Sequence, residues 1–220
     1  MTFEILGTGS SGNAVILNNI VLVDCGLPWK RIRPYAPEFR LVLLTHVHQD
    51  HFSPAAVRAL ANERPALRWG CCEWMVVPLL EAGVDKRRID VMENGTEYTY
   101  PSLWITVRPE RLVHNVPNCG YHLTMRKERI FYATDTGTLD SVSAKDYDWY
   151  FVEANHTEED LEARIKAKKA AGEYAYEYEA KRNHLSQEQA ENWLYQQMGP
   201  NSKYVFLHRH LSDKERKKHG

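Results

Sequence analysis

Leu41-Val42-Leu43-Leu44-Thr45-His46-Val47-His48-Gln49-Asp50-His51 is the stretch that decides the fold. It opens as a continuous apolar run, the pattern of a strand buried on both faces, and stops abruptly in a polar, histidine-rich segment. The chain has ten histidines, and three of them fall within residues 46–51 beside a carboxylate. His46 and His48, at i and i+2, lie on one side of an extended backbone, so both imidazoles can reach one metal ion. Asp50 and His51 come after the bend, where Ser53-Pro54 opens a helix, and can face a second ion. Imidazole nitrogen and carboxylate oxygen are donors for borderline divalent ions, zinc foremost, with manganese or iron as alternatives. A solvated polar loop is the plainer reading, but it does not explain why an apolar strand delivers this cluster.

Outward from this stretch, four positions repeat the pattern of a strand end followed by a ligand-type residue. His114 follows the strand that contains Ile105 and Val107, and Asp135 follows residues 130–134 and precedes the tight turn Thr136-Gly137. His184 stands just before Ser186-Gln187-Glu188-Gln189, a capping box that starts a helix ending near Gly199-Pro200. His208 closes the apolar run 204–207, with His210 close behind. Each alone reads equally well as a surface histidine or a turn aspartate; their shared placement is what points to a site.

The remaining pattern is a mixed α/β domain. Strands are expected at 3–6, 14–17, 20–24, 41–45, 103–108, 121–126, 130–134, 149–153 and 204–207. Helices are expected from Pro54 to about Ala61, over 73–82 with a kink at Pro78, and over 157–182, where Tyr174, Tyr176 and Tyr178 can interrupt the helix. Residues 1–212 suit one domain, and 213–220 form a charged, fraying tail. Lys plus Arg number 28 against 29 for Asp plus Glu, so no overall basic surplus draws the molecule to nucleic acid. The basic residues Arg164, Lys166, Lys168 and Lys169 read as a solvated helix face. Cys25, Cys71, Cys72 and Cys119 lack C-x-x-C spacing and read as reduced thiols. The opening segment lacks the charged and apolar regions of a signal peptide, and no apolar run is long enough for a bilayer. A cytoplasmic protein with no membrane association is the expectation. Oligomeric state is not legible.

Gly7-Thr8-Gly9-Ser10-Ser11-Gly12 fits G-x-G-x-x-G with Asp24 downstream, but residues 13–24 are β-rich and leave no room for the helix of a dinucleotide-binding βαβ unit. The better reading is a turn whose glycines let backbone pass close to the metal pocket. Asp24, at a strand end, reads equally as a cap or as support for a ligand histidine.

Residues 46–51 match the H-x-H-x-D-H signature, so the chain resembles the metallo-β-lactamase superfamily. More narrowly it resembles the YycJ/WalJ-type, RNase Z-related branch. That likeness rests on residues 6–14 (LGTGSSGNA), 22–27 (LVDCGL), Thr134-Asp135-Thr136-Gly137, Glu153-Ala154-Asn155-His156 and Asn183-His184-Leu185-Ser186. Two departures stand out: His114-Asn115 where the family has His-Asp, and a closing His-Leu-Ser doubled into His208-Arg209-His210-Leu211-Ser212.

The resemblance implies an αββα four-layer sandwich, two mixed β-sheets flanked by helices, with the metals at one sheet edge. It implies two divalent ions, one held by His46, His48 and His114 and the other by Asp50, His51 and His208, with Asp135 bridging; His210 is the alternative to His208. Asp50 and His184 are the implied catalytic residues, His184 stabilising the transition state or protonating the leaving oxygen. Asn155 and His156 are expected to line the same pocket, or His156 to serve only as support behind it. The implied activity is metal-dependent hydrolysis through an ion-activated hydroxide: a phosphodiesterase or nuclease, with nucleic acid as substrate and 5′-to-3′ DNA exonuclease action. The alternative is hydrolysis of a small thioester, lactone or cyclic phosphodiester.

Overall fold

The computed structural model describes residues 1–208. The charged tail 213–220, and with it His210, lies outside the described residues.

The first half of the chain builds one six-stranded sheet, in the order β1 (Phe3–Gly7), β2 (Ala14–Leu17), β3 (Val21–Val23), β4 (Leu41–Leu44), β5 (Arg68–Cys72) and β6 (Ile89–Met92). The second half builds another, ordered β12 (Lys203–Leu207), β11 (Trp149–Glu153), β10 (Glu128–Ala133), β9 (Asn118–Met125), β8 (Ile105–Leu112) and β7 (Tyr98–Tyr100). Both are mixed: β1 to β3 and β7 to β10 pair antiparallel, while β3 to β6 and β10 to β12 pair parallel.

Alternation along the strands explains the layers. In β4, Leu41 and Leu43 point into the core between the sheets, while Val42 and Leu44 point to the outer core. That outer core packs on α1 (Trp29–Ile32), α2 (Pro54–Glu63) and α3 (Val76–Glu81) through Ile32, Val57, Leu60 and Leu79. In β10, Ile130 and Tyr132 face the first sheet, while Phe131 and Ala133 face Trp193 and Leu194 of α6 (Gln187–Gln197). The order is helix, sheet, sheet, helix. The four cysteines are buried and unbridged, as expected.

Several elements differ from the sequence pattern. β5 to β7 were not among the expected strands; Arg68-Trp69-Gly70-Cys71-Cys72 carries a glycine and an arginine, and its strand character comes from lying between β4 and β6. β8 runs on through Pro109, whose carbonyl accepts from Gly95 N on the side where its missing N–H would point, so no ladder bond is lost. Pro78 does not kink a helix. A 3-10 turn covers Glu73–Met75 and α3 starts at Val76, leaving Pro78 in the first turn, where an N–H has no partner within the helix. The segment 157–182 is two helices, α4 (Glu158–Ala171) and α5 (Glu177–Asn183), with Gly172 at φ 70° capping the first. The Ser186 capping box forms as read: Ser186 Oγ accepts from Gln189 N, and the Gln189 side chain accepts from Ser186 N. Glycines 7–12 turn β1 into its antiparallel neighbour β2, so no βαβ unit exists there.

Candidate metal centre

Chain direction concentrates the site. β3, β4, β8, β10, β11 and β12 all deliver their C-terminal ends to one end of the sandwich. The segments leaving those ends carry Asp24, residues 46–51, His114, Asp135, Glu153 and His208. The end of β4 is tied down where the chain departs: Leu44 O accepts from Tyr121 Oη at 2.5 Å, and Thr45 O from Trp74 Nε1 at 3.0 Å. A bonded carbonyl at a buried strand end avoids the cost of an orphaned polar group and holds the next residue, His46, in place.

Four donor groups lie among the described residues, two of them matching the implied ion sites and the other two, His46 with His51 and Asp135, and Glu153 with His184, His208 and Asp135, sharing Asp135. His46 Nε2 lies 3.1 Å from His48 Nδ1, which lies 3.3 Å from His114 Nε2. Asp50, His51 and His208 form a second set, with His51 Nε2 and His208 Nε2 at 3.7 and 3.5 Å from Asp50 Oδ2. Asp135 stands between them. Its Oδ2 is 2.9 Å from His51 Nε2, its Oδ1 is 3.7 Å from His208 Nε2, and it also groups with His46. A tetrahedral ion with bonds of about 2.1 Å separates its donors by about 3.4 Å, close to these spacings. Among the described residues, Asp135 Oδ2 and His208 Nε2 are buried and have no aligned hydrogen-bond partner. The donor chemistry and spacing fit divalent ions.

Behind the donors stand supports that fix each ring. Asp24 Oδ2 accepts from His51 Nδ1 at 2.7 Å, while Asp24 Oδ1 accepts from Thr45 N at 2.9 Å; this decides for the supporting role over the cap. Glu153, fully buried, does the same in the other sheet. Its Oε2 lies 3.0 Å from His184 Nδ1 and 3.4 Å from His208 Nδ1, and its Oε1 accepts from Thr136 N and Leu185 N. His114 Nδ1 meets Asn183 O at 3.1 Å, and His46 Nδ1 meets Thr45 Oγ1 at 3.0 Å. Asn155 Nδ2 reaches His208 Nδ1 at 3.1 Å, whereas among the described residues the side chain of His156 hydrogen-bonds to Asn155 alone.

The charges follow from these contacts. Burial pushes His46 down to about 2, helped by the neighbouring His51. Burial also lowers His114. Burial works against protonation of His208 as well, but Asp135, Asp50 and Glu153 outweigh it and hold the imidazole up to about 10. For His51, Asp135 and Asp24 likewise overcome burial and raise it. Desolvation works against ionised Asp135, yet His51 and His208 hold its carboxyl well below the usual range.

The glycine loop sits where the sequence suggested. Asn13, from that loop, places Nδ2 2.8 Å from His51 Nε2, and Thr8 Oγ1 accepts from His208 N. Gly26 lies so close to the histidine loop that a Cβ there would fall 1.7 Å from Asp50 O. Sequence reading assigned no role to Asn13 or Glu153. The available signal for Glu153 was a carboxylate ending the apolar run of β11.

A family described as the Beta-lactamase superfamily domain matches residues 19–208. The chain belongs to the metallo-β-lactamase superfamily. Its two mixed sheets flanked by helices are the metallo-β-lactamase fold, and the chain is a hydrolase of that fold. Among solved structures it is similar to the metallo-β-lactamase fold protein YhfI from Bacillus subtilis, at 16% identity and TM-score 0.71, over 98% of this chain and 90% of that one. It is also similar to the short form of human tRNase Z, at 16% identity and TM-score 0.64, over 95% and 93%. A diphosphatase of the PhnP family matches at 14% identity and TM-score 0.65, over 98% and 90%. No curated protein matches the sequence. Among the described residues no helix is long and apolar enough to cross a membrane.

Proposed function

We propose that this metallo-β-lactamase-fold chain is a two-metal phosphodiesterase acting on nucleic acid, in the manner of a 5′-to-3′ DNA exonuclease. His46, His48 and His114 would hold one ion, Asp50, His51 and His208 the other, with Asp135 between them. Zinc suits this nitrogen and oxygen set best, and manganese or iron could replace it. When bound, two such ions supply a water-derived nucleophile near neutral pH and offset charge on the phosphate oxygens.

One observation carries the phosphodiester reading. His184 sits at the edge of the donor sets and keeps 18% of its side chain exposed, while Glu153 Oε2 holds its Nδ1 at 3.0 Å. A carboxylate accepting from Nδ1 fixes the ring and leaves Nε2 as the nitrogen available to a substrate, the arrangement of a general acid. An alkoxide leaving from a phosphodiester needs such a proton; a thiolate leaving from a thioester does not. The tRNase and diphosphatase names of two structural neighbours lie in the same direction. Asp50 is proposed to act in catalysis as well as in holding its ion.

Residues 1–212 are proposed as one hydrolase domain working in the cytoplasm, in keeping with its four buried free thiols. The test offers 5′-phosphorylated DNA and RNA, single- and double-stranded, with manganese or zinc, and Asp50→Ala as the control for contaminating nucleases. Stepwise release of nucleotides from the 5′ end of DNA is expected. Rapid hydrolysis of a thioester or lactone, with every nucleic acid untouched, would reassign the enzyme.

A further inference from the structure

We propose that the cleft beside His114 seats the nucleotide next to the scissile phosphate, with the Trp74 indole stacking on its base and the Arg111 guanidinium pairing with a backbone phosphate. This rests on the phosphodiesterase reading. The cleft has a volume of about 710 Å³, within the range of about 300–1,000 Å³ common for ligand sites. His114 belongs both to its wall and to the first donor set, so the cleft adjoins the metal centre across that residue. Glu73 and Trp74 follow β5, and Arg111 lies at the end of β8, both at the end of the sandwich that carries the donors.

Trp74 is fixed before any ligand arrives. Its Nε1 donates to Thr45 O at 3.0 Å, next to His46, and its ring packs against both cores of the first sheet. A platform already held in place adds stacking energy with little ordering cost. Val116 and Pro117 complete an apolar wall suited to a base and sugar.

Arg111 is exposed and, among the described residues, has no ion pair or side-chain hydrogen bond. Arg108 on the same strand pairs with Glu110 at 2.9 Å, and Arg68 pairs with Asp90. An exposed guanidinium with no ion pair, on a cleft whose wall His114 shares with the first donor set, is free to take an anion from solvent. Phosphate is the anion its planar fork suits. Glu73 on the same rim would repel a phosphate lodged against it, but it can accept from the amino group of a base. A neutral thioester or lactone uses none of these groups.

The test compares Arg111→Ala, Trp74→Leu and the control Lys86→Gln, in the turn before β6 at the opposite end of the sheet from the donors, with the unaltered chain. Anisotropy of a labelled single-stranded DNA oligonucleotide in chelator reports binding without cleavage. Turnover of that oligonucleotide and of bis(p-nitrophenyl) phosphate is measured with manganese. Each contacted phosphate contributes about 0.7 to the slope of log affinity against log salt for a single strand. Arg111→Ala should therefore flatten the slope by about 0.7, and Lys86→Gln should leave it alone. Trp74→Leu should weaken oligonucleotide binding by roughly tenfold. In both cleft variants the ratio of kcat/KM for the oligonucleotide to that for the small diester should fall.

An unaltered chain that cleaves DNA, with an Arg111→Ala slope unchanged and binding within twofold, overturns the cleft and leaves the phosphodiesterase reading standing. A chain that hydrolyses neither substrate overturns that reading, and the cleft with it. Should Trp74→Leu lose its cooperative melt, the Arg111 slope decides alone.

Discussion

Asp24→Asn changes one atom, and the structure specifies what that atom does. Asp24 has φ 61°, a left-handed conformation that Asn tolerates as readily as Asp, so the backbone has no reason to move. Thr45 N needs an acceptor at 2.9 Å and claims the remaining amide oxygen. The new NH2 then faces His51 Nδ1 at the former 2.7 Å contact. Two donors cannot share that contact, so His51 gives up its Nδ1 proton and keeps the one on Nε2, the nitrogen turned towards Asp135 and Asp50. An ion at the Asp50, His51 and His208 set must now displace that proton without the carboxylate behind the ring. Loss of one charge-assisted hydrogen bond, about 1.5–3 kcal/mol, corresponds to roughly 10- to 100-fold weaker binding, in line with other substitutions behind metal ligands. Competition with a chromophoric chelator should resolve two ions, one weakened by this factor and the other, at His46, His48 and His114, within a few-fold. If both bind the variant within threefold of the unaltered chain, Asp24 does not orient His51.

His184→Ala should retain both ions, by metal analysis, and lose about two to four decades of turnover; full turnover would remove its role as general acid. Ion binding should release protons, because His208, held up to about 10, and His51, also raised, are protonated at pH 7 before an ion arrives. Calorimetry in buffers of different ionisation enthalpy should show that release and an affinity that climbs from pH 7 towards 10, and absence of proton release would contradict these charges. With the folded-state value of His208 above the unfolded value of about 6.5, its contribution to the chelated fold is complete below that pH and lost as pH rises through about 10. The Tm of chelated protein should therefore fall over the interval, and a Tm that rises would refute the sign. Gly26→Ala should cost about 3 kcal/mol or more, since its Cβ would fall 1.7 Å from Asp50 O; a melting temperature like that of the unaltered chain would show that the loop can yield.

Much of this molecule was readable along the chain. β4 betrayed its burial on both faces by unbroken apolar character, and residues 46–51 announced metal chemistry through donor type and spacing. His114, Asp135 and His208 were legible because each follows a strand. The Ser186 box wrote its own helix start. β5 was not legible, since Arg68 and Gly70 hide a strand that exists only because neighbours on both sides pair with it. The break after Ala171 was suggested by tyrosines but made by Gly172.

Local sequence determined which atoms could bind an ion and that each stands at the end of a strand, because periodicity and donor chemistry are properties of neighbouring residues. Tertiary structure alone decided which donors meet. Asp24 reaches His51 because β3 and β4 run parallel, and Glu153 reaches His208 because β11 and β12 do, while His184 comes to Glu153 through the backbone pairing of residues 155–156 with 185–186. Those partnerships span 27 to 55 residues or so of chain and depend on two sheets closing over a shared core.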